Sequence, residues 1–378
     1  MGRFYYFYWD FMGTNGVKIV ADENIPWVSH YFGDAILKPG RQITSQDLVD
    51  AEMLLVRSIT NVDRSLLQNT QIKFVGSTTT GADHIDTAWL DENNITYRVA
   101  KGCNADAVLE YVIAILASLQ KRNFLPTKKL RAAVIGVGTI GSKVVEKLEW
   151  LGMEVICCDP IRAINEPDFQ SIALDKISDV DFITLHTPLT NDGEYPTFHM
   201  INKDFLTRQK NNCILLNTSR GGVINSNDLK LYGGHLMWCL DVFEGEPFID
   251  FEMLDEALIA TPHIAGYSEQ AKYRGIEMIY QAAHELNIIP TALPQIHKRI
   301  SCDVNSIAKN WRDVVLQIFD PYELSSQMKV RMIEDPDHAF DDMRKNFKTR
   351  NEFRFIDLVN MKVDEQNKKV LEQLGFGL

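Results

Sequence analysis

The chain is poor in the features that would make it a metal, disulfide or membrane protein. Among 378 residues there are six cysteines: Cys103, Cys157, Cys158, Cys213, Cys239 and Cys302. They form no C-x-x-C pair and no Cys/His grouping at zinc-ligand spacing, so no metal and no disulfide framework is expected. Several lie in apolar runs, where a thiol behaves as a small hydrophobe, and a reducing cytoplasm is the expected compartment. Long apolar runs are also missing. The longest near a predicted helix, residues 111–117, is far too short to span a bilayer. Positive charge is in deficit, 39 Lys and Arg against 51 Asp and Glu for a net −12. A chain this acidic repels a nucleic-acid backbone, so neither DNA nor RNA is expected as a partner. Repeats and low-complexity tracts are absent.

What is present is an ordinary globular balance, 45% hydrophobic and 24% charged, with room for two or three domains. The opening MGRFYYFYWDFM is the exception. One Arg precedes an aromatic cluster broken by Asp10, with no small-residue cleavage site, which makes a poor signal peptide. Tyr6 stands where myristoylation needs Ser or Thr. Residues 1–16 are expected to be a disordered extension, with Met12 as an alternative start; an aromatic docking tail is the other reading.

From Val17 onward short strands alternate with short helices. KIVAD (18–22), residues 35–37, MLLVR (53–57) and KFVG (73–76) read as strands, and a helix opens at Asp63. This alternation predicts βαβ units and a parallel sheet. NADAVLEYVIAILASL (104–119) is apolar on most sides and predicts a helix buried between layers or domains. A second alternation starts at Ala132, with strands over 132–135, 154–158, 182–185, 213–217, 236–240 and 258–261 and a helix over 139–151. That pattern is a doubly wound sheet. A second long helix covers 265–286, and Pro290 and Pro294 mark a boundary. The tail beyond them mixes a strand-like 314–319 with a helical 339–347 and reads as a separate module.

Gly136-Val137-Gly138-Thr139-Ile140-Gly141 is a G-x-G-x-x-G run between an apolar strand and an amphipathic helix. In that setting the first glycine permits a tight turn, the second close approach to a pyrophosphate, and the third helix–strand packing. The following helix N-terminus offers free N–H groups to phosphates. Asp159 lies 18 residues past Gly141 at the next strand end, where its carboxylate suits ribose hydroxyls and repels a 2′-phosphate. NAD is therefore expected over NADP; Arg162 nearby is the counter-indication.

Three charged residues follow three successive predicted strands: Arg220 in NTSRGG, Glu246 in DVFEGEP and His263 in TPHIAG. Carboxyl ends of strands are where doubly wound sheets bind ligands. Taken singly, these could be a surface ion-pair partner, a solvated turn and a helix cap. Taken together they suit hydride removal from a 2-hydroxy acid. The His accepts the hydroxyl proton, the Glu orients and stabilises the imidazolium, and the Arg grips the substrate carboxylate.

GVGTIG with Asp159, HTPLT (186–190), NTSRGGVI (217–224), LDVFEGEP (240–247) and TPHIAGY (261–267) resemble the D-isomer-specific 2-hydroxyacid dehydrogenases. The resemblance implies a Rossmann-type doubly wound coenzyme domain (104–266) inserted in a flavodoxin-like substrate domain (17–103 and 267–289), with long helices crossing over. KIVADENIP, PGRQI, LVRSIT, KFVGSTTTGADHID, KGCNADAVLEY and the tail stretch FDDMRKNFKTRNEF resemble a branch that handles a small phosphorylated 2-hydroxy acid. That branch carries an extra α+β dimerisation domain, here 290–378, and implies a homodimer. The resemblance makes Arg220 and Glu246 active-site residues and His263 the proton donor and acceptor. It gives Ser58, Thr79 and Tyr267 contacts with substrate, and Thr187, Asp241 and Gly266 contacts with NAD beside Asp159 and the glycine turn. Lys101 departs from the pattern, which has Pro there. The substrate phosphate needs a cation; Arg57 is the candidate, with a tail Arg reaching across a dimer as the second, while the basic tail residues Arg344, Lys348, Arg350 and Arg354 read first as a solvated helix face. The other readings are a phosphoglycerate- or glyoxylate-type dehydrogenase, or a non-catalytic NAD-sensing scaffold.

Overall fold

A computed structural model describes residues 16–127, 129–289, 298–304 and 307–378; the aromatic opening and the proline boundary lie outside these. The chain divides into two compact units, one spanning Met1–Asn104 with Gln270–Ile296, the other Ala105–Glu269 with His297–Leu378.

The first unit is built on five parallel strands, β1 (Ile19–Asp22), β2 (Ile36–Lys38), β3 (Met53–Val56), β4 (Phe74–Ser77) and β5 (Thr96–Val99), in the order β2-β1-β3-β4-β5. β1, β3 and β4 are buried along their whole length, because both faces of the sheet are covered. One face packs Ile19, Met53, Leu55 and Phe74 against Ile276, Ile279 and Ala283 of the helix Glu269–Glu285. The other packs Val20, Leu54, Val56 and Val75 against Leu48, Leu66, Leu67 and Leu90.

The second unit contains six parallel strands, β6 (Arg131–Ile135), β7 (Glu154–Cys158), β8 (Phe182–Leu185), β9 (Ile214–Asn217), β10 (Met237–Leu240) and β11 (Ile259–Ala260), in the order β11-β10-β9-β8-β6-β7. The expected α/β architecture with parallel, doubly wound sheets is what the chain adopts. The helix Ala105–Lys121 is apolar nearly all round because it is buried between layers, with Val112, Ile113, Ile115, Leu116 and Leu119 at 1% exposure or less.

Residues 298–378 add a two-stranded parallel pair, β12 (Ile300–Asp303) and β13 (Ile356–Val359), and four helices. They share the second unit's core. Trp311, Val314 and Val315 pack into the cluster that holds Val112 and Leu116, and Ser325 Oγ accepts the Ala260 N–H at 2.8 Å. One local reading is corrected here. Residues 314–319 are not a strand; the helix Trp311–Ile318 covers most of them. The β-branched Val314–Val315 pair suggested β structure, but Asn310 caps the segment by accepting from Arg312 N and Asp313 N. Trp311, Val314, Val315 and Ile318 then recur at helical spacing toward the core, and packing outweighs propensity.

At the carboxyl end of β1, Asp22 is fully buried and takes a two-pronged bond from Arg57 after β3, Nε to Oδ2 at 2.8 Å and Nη2 to Oδ1 at 3.3 Å. Arg57 is thus committed to a buried partner in its own unit. Replacing Arg57 with Met leaves a buried charge unpaired, and is expected to lower unfolding free energy by about 3–5 kcal/mol. Urea denaturation checks this; a loss below about 1 kcal/mol contradicts it.

Candidate active site

Parallel pairing puts the carboxyl ends of all six strands of the second sheet on one edge. Read across the sheet, the segments that leave them carry His263 (β11), Asp241 and Glu246 (β10), Arg220 (β9), His186 and Thr187 (β8), the glycine turn (β6) and Asp159 (β7). A one-dimensional list of motifs becomes a row of neighbouring groups.

The glycine turn has the shape a dinucleotide needs. Gly136 sits at φ +84°, and a Cβ there would lie 2.7 Å from the His186 carbonyl carbon. A Cβ on Gly141 would lie 2.0 Å from Gly136 O, so the helix Thr139–Trp150 can start this close only with glycine. A Cβ on Gly138 would meet nothing within 4 Å, which leaves the approach to the helix N-terminus open. Asp159 is fixed by the Val137 N–H at 2.8 Å and the Arg162 N–H at 2.9 Å. Arg162 itself is turned back onto Val137 O, Ser142 Oγ and Glu166. Thr187 Oγ1 is buried with no hydrogen-bond partner, a hydroxyl waiting for a ligand. These residues fit NAD.

At the other end of the row, His263 Nδ1 and Glu246 Oε2 are 2.7 Å apart. Glu246 Oε1 accepts the Phe243 N–H at 2.7 Å. Burial pushes the Glu246 carboxyl up, but the charge and hydrogen bond of His263, the Phe243 N–H and Arg344 outweigh it and hold the group below the ordinary glutamate range. An ionised carboxylate can only accept, so Nδ1 carries a proton toward Glu246, and in the neutral form of the ring Nε2 presents its lone pair. Nε2 has no hydrogen-bond partner among the described residues. DVFEGEP offers two glutamates, and the other, Glu244, pairs with His199 at 2.8 Å.

The backbone around His263 is itself imposed. The residue sits at φ +55°, a left-handed conformation that needs external support. Asp241, 1% exposed, supplies it. Its carbonyl accepts the His263 N–H at 2.7 Å. Its carboxylate accepts from Thr261 Oγ1, Ile264 N and Ala265 N at 2.6–2.9 Å. Tyr111 OH extends the chain to Thr261 at 2.6 Å. Asp241, expected from the resemblance to contact NAD, therefore anchors the loop as its first task. Arg220 rides on a turn fixed by Asn217, whose side chain binds Ser219 N and Arg220 O. A Cβ on the next residue, Gly221, would fall 2.0 Å from the Phe243 carbonyl carbon, so this turn lies directly on the Glu246 segment.

The basic tail differs from the expected solvated face. Arg350 is 6% exposed. It donates to Tyr267 O at 2.7 Å, to Ala265 O at 3.1 Å and to Ala107 O. Glu352, fully buried, accepts from Ser268 Oγ at 2.7 Å. Arg344 Nε donates to Tyr267 OH at 2.9 Å. No local signal marked these residues, because the KNFKTR run reads as any solvated helix end. In the first unit, Ser58 follows β3 and is exposed, while Thr79 follows β4 and shares a 2.9 Å bond with Ser77 Oγ. Lys101 follows β5 and is exposed.

A strand–glycine turn–helix cradle with an acid at the next strand end, and a histidine–carboxylate pair on the same sheet edge, define an NAD-dependent oxidoreductase. Comparison with known proteins agrees. Residues 116–265 match the family model described as D-isomer specific 2-hydroxyacid dehydrogenase, NAD binding domain. Curated relatives named erythronate-4-phosphate dehydrogenase include one from Coxiella burnetii, 44% identical over 90% of this chain and 95% of its own. Another, from Saccharophagus degradans, is 36% identical over 96% and 99%. Among solved structures, NAD+-bound 3-phosphoglycerate dehydrogenase from Entamoeba histolytica shares the fold at TM-score 0.62 and 19% identity, covering 75% of this chain and 99% of its own. NAD-bound formate dehydrogenase from Staphylococcus aureus does so at 0.61 and 21%, covering 72% and 96%. The chain belongs to the D-isomer specific 2-hydroxyacid dehydrogenase family, on the branch of the erythronate-4-phosphate dehydrogenases.

His186, between Thr184 Oγ1 at 2.9 Å and Thr218 Oγ1 at 3.2 Å, is the histidine of the row that cannot serve as a base. Burial pushes it down to about 3. A depressed histidine keeps its full stabilising contribution above the unfolded value near 6.5 and loses it as pH falls toward 3. Between pH 7 and pH 5 that loss is about 2 kcal/mol. His186→Asn is expected to flatten this stretch of the stability–pH curve, as measured by urea denaturation; an unchanged slope contradicts it.

Proposed function

We propose that the protein oxidises 4-phospho-D-erythronate to (R)-3-hydroxy-2-oxo-4-phosphooxybutanoate, with NAD as hydride acceptor, in the formation of pyridoxal 5′-phosphate. The observation that carries the reading is the 2.7 Å His263–Glu246 pair on the same sheet edge as a dinucleotide turn, in a chain 44% identical to a curated erythronate-4-phosphate dehydrogenase over 90% of its length.

The chemistry follows from the groups in place. Hydride loss from C2 leaves a carbonyl only if the C2 hydroxyl gives up its proton. His263 Nε2, lone pair outward, takes that proton. Glu246 holds the ring by Nδ1 and neutralises the imidazolium as it forms. Arg220 grips the C1 carboxylate by its guanidinium fork and polarises the adjacent C–O bond. NAD, when held at the cradle, would supply the hydride acceptor. The glycine turn would hold its pyrophosphate and Asp159 its adenosine ribose, with Thr187, Asp241 and Gly266 as further NAD contacts. Tyr267, Ser58 and Thr79 are the substrate contacts of this reading. Arg57 is a weaker candidate than its sequence position suggests, because Asp22 already occupies two of its nitrogens. The homodimer and the cytoplasmic setting belong to this same reading; among the described residues no helix is long and apolar enough to cross a membrane.

Turnover with 4-phosphoerythronate, 3-phosphoglycerate and glycerate, each with NAD or a 2-oxo acid as oxidant, tests the substrate. The reading expects 4-phosphoerythronate to have the highest kcat/KM; a preference for 3-phosphoglycerate overturns it. His263→Ala is expected to lower kcat by about 10²–10⁴-fold while NAD binding, followed by NADH fluorescence, is retained. A variant with near-full kcat removes His263 as the base.

A further inference from the structure

Resting on the reading above, a dianionic phosphate must be neutralised somewhere, and Arg220 is committed to the carboxylate. We propose that Arg344, reaching from the C-terminal segment to Tyr267, is the phosphate-binding residue of the substrate site and the source of specificity for a phosphorylated acid.

The tail's other cations are occupied or remote. Arg350 is spent on three backbone carbonyls. Arg354 pairs with Asp106 at 3.1 Å and Glu352 at 3.5 Å, and Lys348 is exposed. Arg344 is different. It lies on the helix Ala339–Lys345, half-buried, and is held by one edge only, Nε to Tyr267 OH at 2.9 Å. Its guanidinium carbon is 5.8 Å from the centre of the Tyr267 ring. The two terminal nitrogens carry no hydrogen bond or ion pair among the described residues. A planar fork pinned through Nε, with its Nη1–Nη2 edge open, is pre-organised for two oxygens of one phosphate.

The surroundings favour an anion there. Tyr267 is four residues beyond His263, on the loop that Asp241 and Arg350 hold rigid. The carboxylates that act on Arg344, Glu246 and Asp341, do so through space. Glu246 is already engaged by His263 and the Phe243 N–H, which leaves the outer edge of Arg344 for a ligand. Tyr267, placed on substrate by family resemblance, gains a second task as the strut that aims Arg344.

The test compares wild type with Arg344→Met and Arg344→Lys on 4-phosphoerythronate and on unphosphorylated erythronate, with inorganic phosphate as a competitive inhibitor. Arg344→Met is expected to reduce the kcat/KM preference for the phosphorylated acid by about 100-fold, chiefly through KM, and to raise the phosphate inhibition constant in step. Arg344→Lys, with a point charge but no fork, is expected to fall between, and serves if the Met variant does not fold. An equal loss on both acids overturns the proposal by moving Arg344 to the histidine–glutamate pair. An unchanged preference overturns it by leaving Arg344 a tether for Tyr267. If wild type shows no preference for the phosphorylated acid, the functional reading fails without any variant. The phosphate inhibition constants, read against whichever acid turns over, then judge Arg344 separately.

Discussion

The loop 261–267 is the constraint on which the geometry of the candidate site depends, and a buried carboxylate imposes it. Asp241 follows β10 with almost no exposure, and its oxygens take up the N–H groups of His263, Ile264 and Ala265 and the Thr261 hydroxyl. Burial pushes its carboxyl up, against the counter-pull of His263 and of those donors. Lone N–H groups in this turn would be costly; satisfied by the carbonyl and carboxylate of one residue, they hold His263 in a left-handed conformation it would not otherwise keep. That backbone geometry is what brings Nδ1 onto Glu246.

The same loop is gripped from outside by the C-terminal segment. Arg350 takes the carbonyls of Ala265 and Tyr267 while Asp241 takes the amide N–H groups, so both polar faces of the turn are matched by opposite charges. Burial lowers Arg350 from the usual arginine range, and Glu110, Glu352 and Asp241 around it offset this. Such a network is costly to break and weak as a source of stability, which points to geometric precision as its benefit. The tail is therefore a structural partner of the site as well as an appendage to the sheet.

Much of the site was legible because its groups sit at strand ends, and strand ends are marked by turn chemistry. GVGTIG, Asp159, Arg220, Glu246 and His263 could each be placed from an apolar run followed by glycine, proline or a charge. Besides the buried tail arginines, two features were not legible. The 314–319 segment has β-branched residues but folds as helix, because the core it meets belongs to residues two hundred positions earlier. Arg57 looked like a free cation beside Ser58, but β1 and β3 are neighbours in the sheet and bring Asp22 to it. Neither fact can be found within a local window.

The sequence alone determined the periodicities, the dinucleotide turn and the set of reactive side chains, since these depend on spacing along a chain whose local geometry is fixed by helix and strand. Tertiary structure alone decided which charge meets which. It gave Glu244 to His199, Asp22 to Arg57, and Tyr267 to Arg344. Pairing energies fall off within a few ångströms, and only the folded chain sets distances on that scale.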